Sequence, residues 1–249
     1  MITFLNEAES SSNLVLDKYN NNCDEFTTVV VDHQTNGRGR RGKSWFSPKG
    51  NLYFSTLVIP KIEFKFWPQL SFVSSLAVRS AINSFVHNDD ISINYKWPND
   101  ILIDCSKVSG ILIETTKDNK ALVVGIGINL ISNPKKTKFN WQSTNINDCL
   151  GIRINPKGIS KILLKELINY IQLWYENGFS YIKSLWIKNA IFLNEELISI
   201  DLKKNIKGVF VDIGECGQIF LKDESGELIE SASGTFLPTK LMDKYVTSN

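Results

Sequence analysis

A loop rich in glycine and arginine is the first part of the chain whose residue types could do chemistry. Residues 37–43 interleave three glycines with four basic residues, and the aromatic pair Trp45 and Phe46 follows directly on Ser44. Glycine lets the backbone approach a ligand closely, and arginine presents a planar fork of donors to carboxylate or phosphate oxygens. The segment therefore predicts a loop that wraps a small anion. A solvated basic loop and a contact to polynucleotide are the two other interpretations that this segment leaves open.

The composition is that of an ordinary globular protein, and it confines the strongly basic character to this loop. Of the 249 residues, 43% are hydrophobic and 22% are charged, and the formal net charge is only +2. A protein that binds nucleic acid over a whole face carries basic charge over that face, so the composition weighs against this class. The length predicts one or two domains.

Cysteines and histidines show no metal-binding pattern. The four cysteines are widely scattered, and the two histidines do not complete a zinc-like set of ligands. The N-terminus has neither a basic leader nor a long apolar run, and no stretch approaches the length needed to span a bilayer. We therefore expect reduced thiols, no protein-built metal centre, no membrane contact and a cytoplasmic location.

The elements that must position the loop follow from hydrophobic periodicity, which predicts an α+β fold. One predicted strand ends where the loop begins, and another starts where the loop ends. The predicted strands of this region cover 26–32, 51–59, 91–97, 101–104, 111–115 and 121–129. The polar residues 10–13 predict the start of a short helix over 14–19, and apolar residues at helical spacing predict a helix over 66–85.

A long helix and a β-rich tail are predicted for the second half of the chain. Asn155 and Pro156 can begin the helix, Gly178 can end it, and a shorter helix follows over 181–189. The short strands expected after it cover 197–202, 206–213, 218–222 and 228–231. Glycine-broken strands of this length predict a small β-barrel. We therefore expect a catalytic domain over 1–193 and a barrel over 194–249 that carries no chemistry of its own.

Three further segments join the loop in a pattern that resembles a known family. They are Lys96-Trp97-Pro98-Asn99-Asp100, the stretch from Lys107 to Glu114, and Gly125-Ile126-Gly127-Ile128-Asn129. In this order and at this spacing, together with the loop, they resemble biotin protein ligase, the biotin–[acetyl-CoA-carboxylase] ligase family. The similarity runs from about residue 11 to residue 129 and continues more loosely beyond it.

The resemblance implies both a fold and a reaction. The fold is the class II synthetase-like arrangement of biotin and lipoyl ligases, a mixed sheet flanked by helices, with a small SH3-like barrel at the C-terminus. The reaction joins biotin and ATP into biotinyl-5′-AMP and then transfers the biotinyl group to one lysine of a biotin carboxyl carrier domain. Mg²⁺ is expected with ATP, the carrier domain is the expected partner, and a homodimer is one assembly open to the protein.

The same resemblance assigns site residues by position. The biotin-binding set is Ser11, Ser12, Asn13, Gln34, Arg38, Gly39, Arg40, Lys107 and Gly110. The ATP-binding set is Arg38, Arg40, Arg41, Lys43, Trp45, Asn99, Lys107, Asn129 and Trp141. Lys107 and Arg40 are the residues expected to act in catalysis. Cations suit this step because one anion attacks another and charge grows on the α-phosphate. The loop over 32–51 is expected to close when the anion binds.

Several of these residues also have plain structural interpretations. Core packing is favoured for Trp97, because buried aromatic side chains commonly anchor a core. Asn99 and Asp100 suit a turn as well as they suit a ligand contact. Glu114 can pair with a surface lysine or hold a cation of the site. The Gly125-x-Gly127 fragment lacks the third glycine and the βαβ setting of a dinucleotide-binding loop.

Three other functions remain to be separated from biotin ligation. A lipoate or octanoate ligase of the same fold builds its loop differently, with arginines ahead of a run of glycines. A biotin-sensing repressor carries a helix-turn-helix domain before the catalytic one, and this sequence begins within about ten residues of the biotin motif, so we expect no DNA binding. A nucleic-acid module that used the loop would bind polynucleotide in a salt-sensitive way.

Overall fold

A computed structural model describes residues 1–86, 91–135, 142–201 and 206–241, and it shows an α+β fold built on two sheets. The larger sheet consists of β1 (Ile2–Ala8), β2 (Thr28–Gln34), β3 (Leu52–Val58), β4 (Ile93–Lys96), β5 (Asp100–Ile103), β6 (Ser106–Thr115) and β7 (Leu122–Ile128). Their order across the sheet is β1-β2-β3-β7-β6-β5-β4. The sheet is mixed, because β1 and β2 run parallel and the other neighbouring strands run antiparallel.

The middle of this sheet is built from apolar strands that are covered on both faces. β3 is buried at every position, as its sequence of continuous apolar and small residues predicts for a central strand. Val15 packs with Val29 and Leu57 on one face, while Phe54 and Val124 belong to the large core on the other. β3 and β7 pair in a register that sets Ser55 opposite Gly125.

Four α-helices flank the sheets in the described part of the chain. They are α1 (Ser11–Asn20), α2 (Leu70–Asn83), α3 (Ile146–Leu150) and α4 (Pro156–Ile187). The predicted cap of α4 is confirmed, since the Asn155 side chain accepts a hydrogen bond of 2.9 Å from the Lys157 N–H. The predicted break is confirmed as well, because Gly178 has φ 75° inside α4. None of the described helices has the length and apolar content needed to cross a bilayer.

The second sheet is antiparallel and follows α4. Its strands are β8 (Glu196–Ser199), β9 (Lys207–Ile213), β10 (Ile219–Lys222), β11 (Leu228–Ser231) and β12 (Phe236–Pro238), in the order β11-β10-β9-β8-β12. Its inward side chains, among them Phe210 and Phe236, belong to the same buried cluster as the residues of α2 and α4. This buried cluster contains residues from both sides of position 194. The domain division predicted at this position therefore stays a prediction.

Two strands were not expected from the sequence. β1 has no alternating pattern, and its side chains are half-buried or exposed because it lies at the edge of the sheet. β12 is only three residues long and contains Pro238. Both strands are stabilised by a neighbour distant in sequence, which local propensity does not report.

Candidate active site

A cleft of about 500 Å³ opens over the middle of the seven-stranded sheet. Its floor is formed by the adjacent strands β3, β7 and β6. Its walls come from the first turn of α1, the glycine-arginine loop, the turn between β4 and β5, and the second sheet. The cleft therefore gathers most of the motifs that the sequence singled out.

A group of hydroxyl and amide side chains, the hydroxyl–amide cluster, lies at one end of the cleft. It consists of Ser11, Ser12, Ser55 and Gln34. The Ser55 Oγ is 2.7 Å from the Ser11 Oγ and 3.1 Å from the Ser12 Oγ. The Gln34 Oε1 accepts hydrogen bonds from the Ser11 N–H at 2.8 Å and from the Ser11 hydroxyl at 3.1 Å. Because hydroxyls both donate and accept, this cluster can meet a ligand that presents N–H and C=O groups together.

The indole of Trp45 forms the apolar section of the cleft. It lies directly on the floor, where Gly110 of β6 and Gly127 of β7 face each other in register. A Cβ atom at Gly110 would lie 2.9 Å from the indole, and one at Gly127 would overlap it. These two glycines therefore allow the aromatic ring to approach the strands.

Two lysines and a carboxylate stand beside this apolar section. The Lys107 Nζ is 2.5 Å from the Asp100 Oδ1 and 5.2 Å from the centroid of the Trp45 ring. Lys96 lies opposite Asp100 in the pairing of β4 with β5. Burial lowers the pKa of Lys96, and the charge of Asp100 works against this shift. One carboxylate thus stabilises the positive charge of both lysines.

The glycine-arginine loop folds as a hairpin over 37–45. The Trp45 N–H donates to the Gly37 carbonyl at 2.9 Å, the Gly39 N–H donates to the Lys43 carbonyl at 2.6 Å, and Arg38 pairs with Ser44 between them. At the tip, Arg41 has φ 58°. This turn points the adjacent Arg40 and Arg41 side chains at different partners.

Arg38 and Arg40 each contact a residue of the larger sheet. Arg38 forms a forked ion pair with Glu114, in which the shortest contact, Nη2 to Oε1, is 3.0 Å. The Arg40 Nη1 donates to the Asn99 Oδ1 at 3.0 Å, and the Asn99 Nδ2 donates to the Ile111 carbonyl at 2.7 Å. Burial lowers the pKa of Arg40, a shift that Asp100 opposes.

Arg41 reaches across the cleft mouth to the second sheet. Its guanidinium forms an ion pair with Asp201, whose Oδ1 and Oδ2 each accept a hydrogen bond of 2.7 Å from Thr235. Burial works to raise the pKa of Asp201, but the Thr235 hydrogen bonds and the charge of Arg41 together hold it below its ordinary value.

The charge of the lining is strongly unbalanced. Among the described residues that line the cleft, the basic side chains are Arg38, Arg40, Arg41, Lys43, Lys96 and Lys107. The acidic lining residue in the same set is Asp100. Glu114 and Asp201 are not among the lining residues, but they form ion pairs with Arg38 and Arg41 respectively. A cleft of this charge on a nearly neutral protein favours an anionic ligand.

Asn129, for which a nucleotide contact is predicted, follows β7 and lies beside the start of β6, where its N–H donates to the Val108 carbonyl at 2.8 Å. The Asn129 Nδ2 donates to the Thr144 carbonyl at 2.9 Å, and the Lys107 N–H donates to the Gln142 carbonyl at 2.8 Å. Asn129 lines the cleft, as do Pro134 and Ser143. Trp141, the predicted adenine contact, lies outside the described residues.

The structure brings most of the predicted site residues together. Those that line the cleft are Ser11, Ser12, Gln34, Arg38, Gly39, Arg40, Arg41, Lys43, Trp45, Asn99, Lys107, Gly110 and Asn129. Asn13 is not among the lining residues, because it follows the two serines that face inward from the first turn of α1. The core packing favoured for Trp97 is confirmed, as its Nε1–H donates to the Gly217 carbonyl at 2.9 Å and its ring is buried, although it also lines the cleft.

Sequence reasoning did not assign several functional positions. Ser55 is a buried polar residue within the mostly apolar sequence of β3, and a polar residue at such a position can indicate a ligand contact. Lys96 belongs to the Lys96–Asp100 motif, but the sequence analysis assigned it no role. Asp201 and Thr235 gave no signal, because Asp201 contacts Arg41 from 160 positions away and Thr235 acts through its contacts with Asp201.

No group of three or more His, Cys, Asp or Glu side chains is arranged to hold a metal within 1–86, 91–135, 142–201 and 206–241. Asp100 lines the cleft, Glu114 and Asp201 pair with two of its arginines, and each of these three carboxylates is thus paired with a basic side chain. The described residues thus offer no ready-made cation cage.

Known proteins similar to this chain share one activity in their names. A model of the biotin/lipoate A/B protein ligase family matches residues 8–130. The bifunctional ligase/repressor BirA of Bacillus subtilis is 30% identical over 213 residues, which is 83% of this chain and 65% of the relative. The biotin--[acetyl-CoA-carboxylase] ligase of Paracoccus denitrificans is 28% identical over 84% of this chain and 89% of its own length. The chain thus spans slightly less than two thirds of the BirA relative.

A solved structure extends the similarity to both sheets. Biotin protein ligase from Aquifex aeolicus, in complex with biotin and ATP, superimposes with a TM-score of 0.83 at 30% identity. The match covers 96% of this chain and 99% of that one. Its extent places the second sheet, and not only residues 8–130, within the shared architecture. The chain therefore belongs to the biotin/lipoate A/B protein ligase family, and the relatives named here include biotin ligases.

Proposed function

We propose that this protein is an ATP-dependent biotin ligase that forms biotinyl-5′-AMP and transfers the biotinyl group to a lysine of a biotin carboxyl carrier domain. The observation that carries the proposal is the arrangement of one cleft, with a hydroxyl–amide cluster, an aromatic section and a basic group in succession. Gly125 lies beside Ser12, and Gly127 lies beneath Trp45, two positions farther along β7. A strand advances about 3.4 Å per residue, so the polar end and the aromatic section are about 7 Å apart.

Biotin suits this succession in one orientation. Its ureido ring carries N–H donors and a carbonyl acceptor, which match the serine hydroxyls and the Gln34 amide. Its aliphatic chain then runs alongside the Trp45 indole, and its carboxylate reaches the Lys107 ammonium. A lipoyl or octanoyl group offers only apolar atoms to the hydroxyl–amide cluster, and buried hydroxyls left without a ligand partner lower affinity.

The basic side chains then serve the attack of the carboxylate on the α-phosphate of ATP. Two anions must approach each other, and negative charge grows on the phosphate as the bond to pyrophosphate breaks. Lys107 reaches this region from β6 in the floor of the cleft, and Arg40 reaches it from the hairpin in the wall. Because both side chains are held by existing partners, the site can stabilise the growing charge with little reorganisation. Holding the carboxylate and the α-phosphate in position lowers the barrier further.

The remaining assignments belong to the same proposal. Mg²⁺ arrives as part of the Mg·ATP substrate, since this ion usually binds through one or two carboxylates plus phosphates. The second sheet is proposed to be the SH3-like barrel of a separate unit over 194–249. None of the four cysteines forms a disulfide in the described part of the chain, which suits a reducing cytoplasm. In addition, a homodimer would be visible as a doubled mass in light scattering.

The test is a labelling reaction with radiolabelled biotin, Mg·ATP and a purified biotin carboxyl carrier domain. We expect pyrophosphate release that depends on biotin, and label on one carrier lysine that disappears when that lysine is replaced by arginine. Labelled octanoate and lipoate serve as competing substrates in parallel reactions. Preferential transfer of either one, or salt-sensitive retention of a polynucleotide without any transfer, would contradict the proposal.

A further inference from the structure

The tip of the hairpin is tied to the second sheet through one side chain. Besides its ion pair with the Asp201 carboxylate, the Arg41 guanidinium donates from Nη2 to the Asp201 carbonyl at 3.3 Å. Asp201 follows β8, whereas the region matched by the family model ends at residue 130. The hairpin over the cleft is thus fixed from a part of the chain that contributes none of the recognised motifs.

Asp201 is held in place independently of Arg41. The Thr235 N–H and the Thr235 hydroxyl each donate to one carboxylate oxygen at 2.7 Å, and the Ile200 N–H donates to the Thr235 carbonyl at 3.0 Å. Both oxygens of the carboxylate are therefore oriented by the residues that precede β12. An acceptor oriented in advance loses little conformational freedom when the arginine binds, which makes the contact selective for one position of the hairpin tip.

The backbone of the tip gives this contact a second effect. Arg41 lies in the left-handed region at φ 58°, which residues other than glycine seldom adopt. In this conformation, Arg41 points to Asp201 while the preceding Arg40 points to Asn99 on the cleft wall. Releasing Arg41 removes a contact that stabilises the unusual turn, so the position of Arg40 depends on Asp201.

We infer that Asp201 and Thr235 are positioning residues that hold the hairpin tip closed over the cleft and thereby set how fast the acyl-adenylate escapes. The inference rests on the proposed function, and neither residue touches the reacting atoms. The side chains of Arg41 and Asp201 are 43% and 25% exposed, so water competes for the ion pair. A contact of this strength can break to admit substrates and form again behind them.

Limited proteolysis of Asp201→Asn without ligand tests the tie itself. The substitution leaves the trypsin sites of the hairpin unchanged and removes the negative charge. We expect cleavage after residues 38, 40 and 41 to accelerate about fivefold, the upper range for a partly exposed ion pair. The matched control is Asp212→Asn, which removes the partner of Lys183 at 2.9 Å, an ion pair that also joins the second sheet to the rest of the molecule. That control should leave cleavage at the wild-type rate.

A second pair of variants tests the role of Thr235 and links it to the intermediate. Thr235→Val removes the hydroxyl that holds Asp201, and Thr235→Ser keeps it. Dissociation of preformed biotinyl-5′-AMP should be about fivefold faster in Asp201→Asn and Thr235→Val and unchanged in Thr235→Ser. Equal cleavage of the Asp201→Asn and Asp212→Asn proteins, or wild-type retention by Thr235→Val, would overturn the inference. If the wild type forms no adenylate, the proposed function fails, while proteolysis without ligand still decides whether Asp201 holds the tip.

Discussion

Lys107→Met keeps the length and the apolar stem of the side chain and removes the ammonium that pairs with Asp100 at 2.5 Å. If that ammonium meets the biotin carboxylate and then the α-phosphate, the variant loses a preorganised electrostatic contact in the transition state. Losing one such contact costs about 3–4 kcal/mol, or about 100- to 1,000-fold in rate. The loss should appear in adenylate formation and leave the fold intact.

The neighbouring carboxylate places the expected loss at the upper end of this range. Asp100 is only 14% exposed, and without Lys107 its charge would face the incoming phosphates with less compensation. We therefore expect about a 1,000-fold loss for Lys107→Met, and about a tenfold recovery when Asp100→Asn is added to it. A coupling of this size between adjacent charges is measured by a double-mutant cycle.

The assay is the pre-steady-state release of pyrophosphate with saturating biotin and Mg·ATP. Lys65→Met serves as the control, because its ammonium pairs with Glu63 on the surface at 2.9 Å and is not among the residues that line the cleft. The control should react at the wild-type rate. A Lys107→Met protein that releases pyrophosphate within tenfold of wild type would refute the role assigned to the ammonium.

The other predictions concern the lid, the buried lysine and the floor of the cleft. Arg40→Gly should lose the intermediate to solution and label bystander proteins while modifying its carrier poorly; labelling as selective as wild type in a mixed-protein assay would argue against a lid. Lys96→Met should slow adenylate formation yet raise the free energy of unfolding by about 1 kcal/mol, because burial of the ammonium outweighs its attraction to Asp100, and Asp100 keeps Lys107 as a partner. Burial lowers the pKa of Lys96, so the folded state releases its proton at a lower pH than the unfolded state does. The stability deficit of the wild type relative to Lys96→Met should therefore shrink as pH rises towards the ordinary lysine pKa in urea titrations. Gly127→Ala should displace the Trp45 indole and weaken biotin binding at least tenfold by calorimetry, with unchanged binding disproving the close approach.

Local sequence was sufficient for the elements whose patterns are strong. The apolar run of β3, the periodicity of α2 and the Asn155 cap each determine structure through neighbours within one element. β1 was missed because its position at the edge leaves its side chains partly exposed, and its conformation depends on pairing with β2. Propensity alone does not contain this pairing.

In the candidate site too, residues within local motifs were predicted, and residues that depend on distant contacts were not. Lys107 and Arg40 were predicted because they stand in short motifs whose order along the chain resembles a family. Asp201 was not predicted, since its role exists only after the second sheet packs beside the hairpin and places it next to Arg41. Ser55 lies between these cases, because a polar residue within a buried strand can be noticed but not assigned a ligand.

The pairing of β3 with β7 also links biotin to the folding of the protein. Ser12, Ser55 and Gly125 meet only when α1 is docked and both strands are in register, so a partly folded chain has no pocket for the ureido ring. A ligand that binds only the folded state adds about 2.7 kcal/mol to stability at a hundred times its dissociation constant. Under the proposed function, a cell starved of biotin would therefore hold a ligase that is both idle and easier to unfold and degrade.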